Sequence, residues 1–238
     1  MLSNNQRKLI TQLSKKKHRI KNRFFVAEGK KVINELLDSK WPYETLFTTE
    51  KNFHPNAQLL ELEEMKKITQ FKTPSSVLGI FSLPKTQKII GEKTTIALDG
   101  VSDPGNLGTI IRLCDWFGLS ELICNETTVD IYNPKVIQAT MGSIARVRCH
   151  YVKNLGDSLA ELQKPIFGAS TRGSSIYSNK LVKEASYVFG SESHGISESL
   201  LAMLDGEFSI PKFRQGDRYP QSLNVANASS IFLSELFR

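Results

Sequence analysis

The sequence predicts an α/β protein: a carboxyl-terminal domain on a mainly parallel sheet with helices on both faces, preceded by a small α/β domain. Three observations lead there. From Thr95 onward, apolar strand-like runs alternate with segments of helical periodicity over roughly 145 residues, the pattern of a parallel sheet covered on both sides. A polar, lysine-bearing stretch from Pro84 to Lys93 reads as a linker and divides the chain into 1–84, 85–93 and 94–238. The charge is lopsided as well. The whole chain carries 31 basic against 24 acidic residues, a net +7, yet from Met1 to Lys31 only Glu28 opposes the basic side chains.

In the first domain, Leu9, Ile10 and Leu13 suit one face of a short helix, the basic run Lys15 to Arg23 follows, and Phe24 to Ala27 reads as a strand. Val32, Ile33, Leu36 and Leu37 give a second helix its apolar face, which ends near Trp41-Pro42 because proline cannot continue a helix. Thr45 to Thr49 is strand-like, Glu61 to Lys67 is a polar helix, and Val77 to Phe81 is a strand. In the second domain, strands are expected at Thr95–Leu98, Glu121–Cys124, Ile166–Ala169, Tyr187–Phe189 and Glu207–Ile210. Helices are expected at Leu107–Phe117, Pro134–Thr140 and Ser222–Phe237.

Composition narrows the function classes. With 40% hydrophobic and 23% charged residues the chain has ordinary globular usage, which excludes wholesale disorder. No apolar run approaches the ~18 residues of a membrane span and the start lacks a signal-type apolar core, so a cytoplasmic protein is expected. Cys114, Cys124 and Cys149 are widely spaced without a C-x-x-C pair, which suggests buried thiols instead of a disulfide framework or a metal site. The basic amino terminus favours a polyanionic partner, with Lys15, Lys16, Lys17, Arg19 and Arg23 as candidate RNA contacts, although a solvated helix face has the same composition.

An open parallel sheet binds ligands at the carboxyl ends of its strands, and three loops there carry unusual chemistry. The first runs Asp99-Gly100-Val101-Ser102-Asp103-Pro104-Gly105-Asn106-Leu107-Gly108, with Arg112 in the helix that follows; an ordinary turn with a solvent-facing arginine has the same letters. In the second, Gly190 and Gly195 bracket Glu192 and His194 directly after an apolar strand, in neither the dinucleotide nor the P-loop spacing. The third leads from Ile210-Pro211 to Ser222-Leu223-Asn224, where Ser222 can also serve simply as a helix cap.

Together and in this order, the loops closely resemble the three signature motifs of the SpoU, or TrmH-like, branch of the SPOUT RNA methyltransferases. The matching text is N-L-G-T-I-I-R from Asn106 to Arg112, V-F-G-S-E-S-H-G-I-S from Val188 to Ser197, and I-P with S-L-N-V-A from Ile210 and Ser222. The stretch from Pro134 to Arg146, with Ala139, Met141, Gly142 and Ser143, matches a less specific family element. R-F-F-V-A-E-G from Arg23 to Gly29 and its surroundings look like the L30e-like substrate-binding domain often joined to that fold. Ser193 stands where glycine is common, Asn227 interrupts a usually apolar small-residue face, and the loop from Pro211 to Ser222, with Arg214, Arg218 and Tyr219, is longer than in compact relatives.

The resemblance implies a deep trefoil knot, which the general rule against knotted chains would not suggest, S-adenosylmethionine as methyl donor, and a homodimer formed through the carboxyl-terminal domain. It also implies methylation of a ribose 2′-hydroxyl in ribosomal or transfer RNA. Carried over by motif position, the catalytic set is Arg112, Asn106, Glu192, Ser222 and Asn224, with Glu192 as the expected ionic partner of Arg112. Backbone groups at Gly190, Ile210 and Leu223 would hold the cofactor. A non-catalytic RNA-binding or ribosome-assembly factor, and a methyltransferase acting on a base nitrogen, are the alternatives on the same fold.

Overall fold

The structure, a computed structural model, describes residues 1–178, 180–214, 218 and 220–238; Tyr219 of the long third loop lies outside these. Residues 1–86 together with 130–146 pack as one unit, and residues 87–129 with 147–238 as another.

The first unit begins with α1 (Asn4–Leu13), whose start is fixed by a capping box: the Ser3 hydroxyl accepts the Gln6 N–H and the Gln6 side chain accepts the Ser3 N–H. Then come α2 (Lys16–Asn22), β1 (Phe24–Glu28), α3 (Lys30–Asp38), β2 (Tyr43–Thr48), β3 (Ala57–Leu59), α4 (Leu62–Lys66) and β4 (Val77–Ser82). Their sheet runs β1-β4-β2-β3, antiparallel except where β2 meets β3. Ile10 and Leu13 of α1 pack with Val26, Phe47, Met65 and Leu78 in one core. Around Phe25 gather the rings of Phe81, Trp41 and Tyr132.

The second unit contains β5 (Thr94–Asp99), α5 (Pro104–Trp116) and β6 (Glu121–Asn125). After α6 (Pro134–Thr140), which packs with the first unit, follow β7 (Arg148–Val152), α7 (Leu155–Ala160), β8 (Ile166–Ser175), β9 (Ala185–Gly190), α8 (Glu198–Leu201), β10 (Gly206–Ser209) and α9 (Val225–Leu236). The six strands are ordered β10-β8-β9-β5-β6-β7 and all pairs are parallel. Every residue of the central β5 is buried, as a strand covered on both faces requires. No helix among the described residues is long and apolar enough to cross a membrane. Cys114 and Cys124 are buried, and burial pushes the Cys114 thiol far above its ordinary value, so it is inert at neutral pH.

The compact units divide the chain differently from the expected domain limits in two places. Residues 130–146, read as part of the carboxyl-terminal domain, pack with the first unit because Tyr132 lays its ring 4.9 Å from Phe25 and Arg146 pairs with Glu35 of α3. The stretch 87–93, read as linker, is fastened to the second unit. Ile89 packs against the core there, and the N–H groups of Ile90 and Gly91 donate to the buried Glu121 carboxylate at 3.0 and 3.1 Å.

Among the basic candidates, Arg19 is 3% exposed and occupied: it donates to the Leu13 and Ser14 carbonyls at the end of α1 and pairs with Asp130 at 2.6 Å. A guanidinium with five donors can close a helix end and hold a carboxylate at once, which removes Arg19 from the RNA-contact set. Arg23 sits in the left-handed region at the end of α2 and donates to the Leu83 and Pro84 carbonyls, so it fixes the exit of β4. Lys15, Lys16 and Lys17 are exposed.

Candidate active site

Because β5, β9 and β10 run parallel, their carboxyl ends lie at one end of the sheet, and the three motif loops leave from that end. The first loop turns at Gly100, whose φ of +78° suits glycine and whose N–H donates to Asn125 Oδ1 at 2.9 Å. Asp103 then caps α5 by accepting the Asn106 N–H at 2.8 Å, with Pro104 in the first turn where its missing N–H costs nothing. Asn106 is thereby aimed from the first turn of α5. In the second loop Ser191 and Gly195 exchange backbone hydrogen bonds, and a Cβ on Gly190 would lie 2.1 Å from the Gly195 carbonyl carbon, so only glycine permits the chain to fold back this tightly. Glu192 stands at the tip of that reverse turn. In the third loop Asn224 caps α9, its oxygen accepting the N–H groups of Ala226 and Asn227.

These three side chains meet. Asn224 Nδ2 donates to Glu192 Oε1 at 2.5 Å and to Asn106 Oδ1 at 2.9 Å, and Asn106 Nδ2 donates to the same Glu192 oxygen at 2.9 Å. The amide orientations follow from the network itself. With the Asn224 oxygen held by the helix N–H groups, its nitrogen must face Glu192 and Asn106, and the Asn106 oxygen must then face Asn224. Beside the cluster lies a cleft of about 200 Å³ lined by Val101, Ser102, Asp103, Asn106, Glu192, Ser193 and Val225.

Arg112 and Ser222 are not drawn into the cluster. Both are exposed, and the expected Arg112–Glu192 pair is replaced by the two asparagines. The reason is helical geometry: six residues advance about 9 Å along the axis and turn roughly 120° away from Asn106. Gly190 ends β9, Ile210 directly follows β10, and Leu223, 49% exposed although apolar, precedes the cap of α9. All three stand at the same end of the sheet as the cluster, where apolar side chains and backbone groups together suit a nucleoside-bearing cofactor.

Sequence reasoning passed over Asp99 as a member of this site. Its carboxylate is buried, accepts the Ser197 N–H at 2.7 Å and the Asn125 amide at 2.5 Å, and so ties the second loop to the first strand. The Asp-Gly pair ending a strand was visible; its partner Asn125, at the end of the neighbouring strand, was not. Among the described residues no group of three or more His, Cys, Asp or Glu side chains is arranged to hold a metal ion.

The model of the SpoU rRNA methylase family matches residues 93–234, and that of the MRM3-like substrate binding domain matches residues 4–79. A Bacillus subtilis protein, the 23S rRNA (guanosine(2553)-2′-O)-methyltransferase RlmP, is 27% identical over 94% of this chain and 93% of its own. A TrmH-family structure from Porphyromonas gingivalis is 35% identical with a TM-score of 0.86, covering 99% of this chain and 98% of that one. The AdoMet-bound rRNA methyltransferase from Sinorhizobium meliloti is 30% identical with a TM-score of 0.82, covering 99% and 95%.

Proposed function

This chain belongs to the SpoU rRNA methylase family, and we propose that it methylates a ribose 2′-hydroxyl of ribosomal RNA, with S-adenosylmethionine as donor. The observation that carries the 2′-hydroxyl reading is the cluster of Asn106, Glu192 and Asn224, a hydrogen-bonding set beside a small cleft, suited to orient a hydroxyl. The 2′-O activity named for the Bacillus subtilis relative supports it.

The bound donor supplies an electrophilic methyl group. Glu192 Oε1 is occupied by the two asparagines, so Glu192 acts as the post that holds them, while the second Asn106 amide hydrogen and Glu192 Oε2 remain for the acceptor ribose. Arg112, exposed, organises the phosphate and oxygen atoms of the incoming nucleotide, the planar multi-donor role to which a guanidinium is suited. Ser222 adds a hydroxyl at the edge of the same site. Backbone groups at Gly190, Ile210 and Leu223 hold the donor.

The same proposal covers assembly, knot and location. Trp116 is 84% exposed at the end of α5, and Phe117 stacks on Phe237 just past the end of α9 with ring centroids 5.4 Å apart. An apolar surface of this kind supports a homodimer covering α5 and α9. The trefoil knot and a cytoplasmic location belong with it. The test is incubation with labelled donor and ribosomal RNA from cells lacking this gene, followed by mapping of the label. Label on a ribose oxygen supports the reading; label on a base nitrogen, or none, overturns it.

A further inference from the structure

Among the described residues Phe213 is the most exposed aromatic ring, at 92%. An isolated exposed apolar side chain needs no explanation, but the position of this one does. It lies three residues beyond Ile210, at most about 10 Å of chain away, in the loop that leaves β10 and returns to Ser222 and Asn224. Its neighbours Lys212 and Arg214 are basic, and from Lys212 to Gln221 Asp217 alone opposes three basic residues. Lys212 Nζ donates to Gln221 Oε1 at 3.3 Å, which links the start of the loop to its return toward Ser222 and Asn224.

Resting on the reading of the chain as an RNA methyltransferase, we propose that Phe213 is a stacking platform for an unpaired nucleobase flanking the methylated nucleotide. A single-stranded base offers an apolar face to any aromatic ring, and cations on either side of the ring suit the phosphates that join it to its neighbours. A single-stranded target can be splayed with its bases unstacked, and a ring one or two nucleotides away holds it so.

The test uses the full chain with ribosomal RNA from cells lacking this gene, comparing wild type, F213A, F213L and F213Y. Expected for F213A is an RNA Kd and KM raised roughly tenfold, with the KM for the donor and the thermal transition unchanged. The salt dependence of RNA binding should be unaltered, because stacking releases no counterions. F213Y should restore wild-type affinity and F213L should not. F213A within twofold of wild type, or F213L restoring as well as F213Y, overturns the platform. If wild type binds this RNA but transfers no methyl group, the proposed function falls while the Kd series still decides the role of Phe213; if it does not bind, both fall.

Discussion

The side-chain nitrogen of Asn224 lies 2.5 Å from Glu192 Oε1 while its oxygen accepts the N–H groups of Ala226 and Asn227, so one residue starts the terminal helix and holds the second loop. The two tasks can be separated. Asn224→Ser keeps a good helix cap but loses the nitrogen that reaches Glu192, so its thermal transition should stay near wild type while methyl transfer falls about 100-fold through misplacement of the cluster. Asn224→Ala should lose both, with an added destabilisation of about 1 kcal/mol. Calorimetry with single-turnover kinetics distinguishes them; near-normal transfer by the serine variant would show that the bridge to Glu192 is dispensable.

Arg112 yields the opposite combination. It is exposed on α5 and forms no ion pair with Glu192, so Arg112→Ala should change stability by no more than about 0.5 kcal/mol. Methyl transfer should nonetheless be abolished. Retention of substantial turnover in Arg112→Ala would make it an ordinary surface arginine.

The order of the strands was not legible, whereas the parallel character of the sheet and the three loops were, because buried parallel strands are apolar runs and the motif residues sit directly at their ends. Thr94–Asp99 and Ala185–Gly190 are of this kind. β7, Arg148–Val152, lies at the sheet edge, mixes charge with partial burial and carries no such run. The polar second half of β8, through Ser175, is a strand only because β10 pairs with it across a register shift. Within the site, the loops were readable but the pairing was not: a carboxylate near an arginine in motif order suggested an ion pair, whereas Glu192 turned to Asn106 and Asn224. Which side chains meet is decided by helix phase and loop closure, neither of which a linear sequence displays.

Glu28 provides a pH test of the first unit. Its side chain is buried, accepting the Thr69 hydroxyl at 2.7 Å and the Gln70 N–H at 2.7 Å, and burial raises its pKa above 4.5 despite those bonds. A carboxyl raised in the folded state binds its proton more tightly there than in the unfolded chain. Its contribution to stability is therefore fully present below the unfolded value and lost as pH rises through the folded one. Glu28→Gln removes this dependence, and the Thr69 hydroxyl can rotate to accept from the new amide. Across the window that opens above 4.5, the thermal transition of wild type should fall relative to Glu28→Gln. Parallel curves for the two proteins would refute this account of Glu28.

The basic amino terminus separates into two kinds of residue that a sequence count treats alike. Lys15, Lys16 and Lys17 are exposed, so replacing all three with glutamine should weaken RNA binding and flatten its salt dependence by about 0.7 to 0.9 in log–log slope for each phosphate no longer neutralised. Folding and donor affinity should be unaffected, since the site residues leave a different sheet. Arg19 behaves otherwise. It is buried, closes the end of α1 through the Leu13 and Ser14 carbonyls, and pairs with Asp130, so Arg19→Ala leaves a carboxylate and two carbonyls without their donor. Breaking a buried pair from one side costs about 3 to 5 kcal/mol, a large part of the stability of a small domain. Arg19→Ala should thus lower the thermal transition sharply, and any loss of RNA binding should track the unfolded fraction, with the salt slope of the folded remainder unchanged. A stable Arg19→Ala with a reduced salt slope would return Arg19 to the RNA-contact set, and a triple lysine variant with unaltered affinity and slope would make the lysine run a solvated helix face.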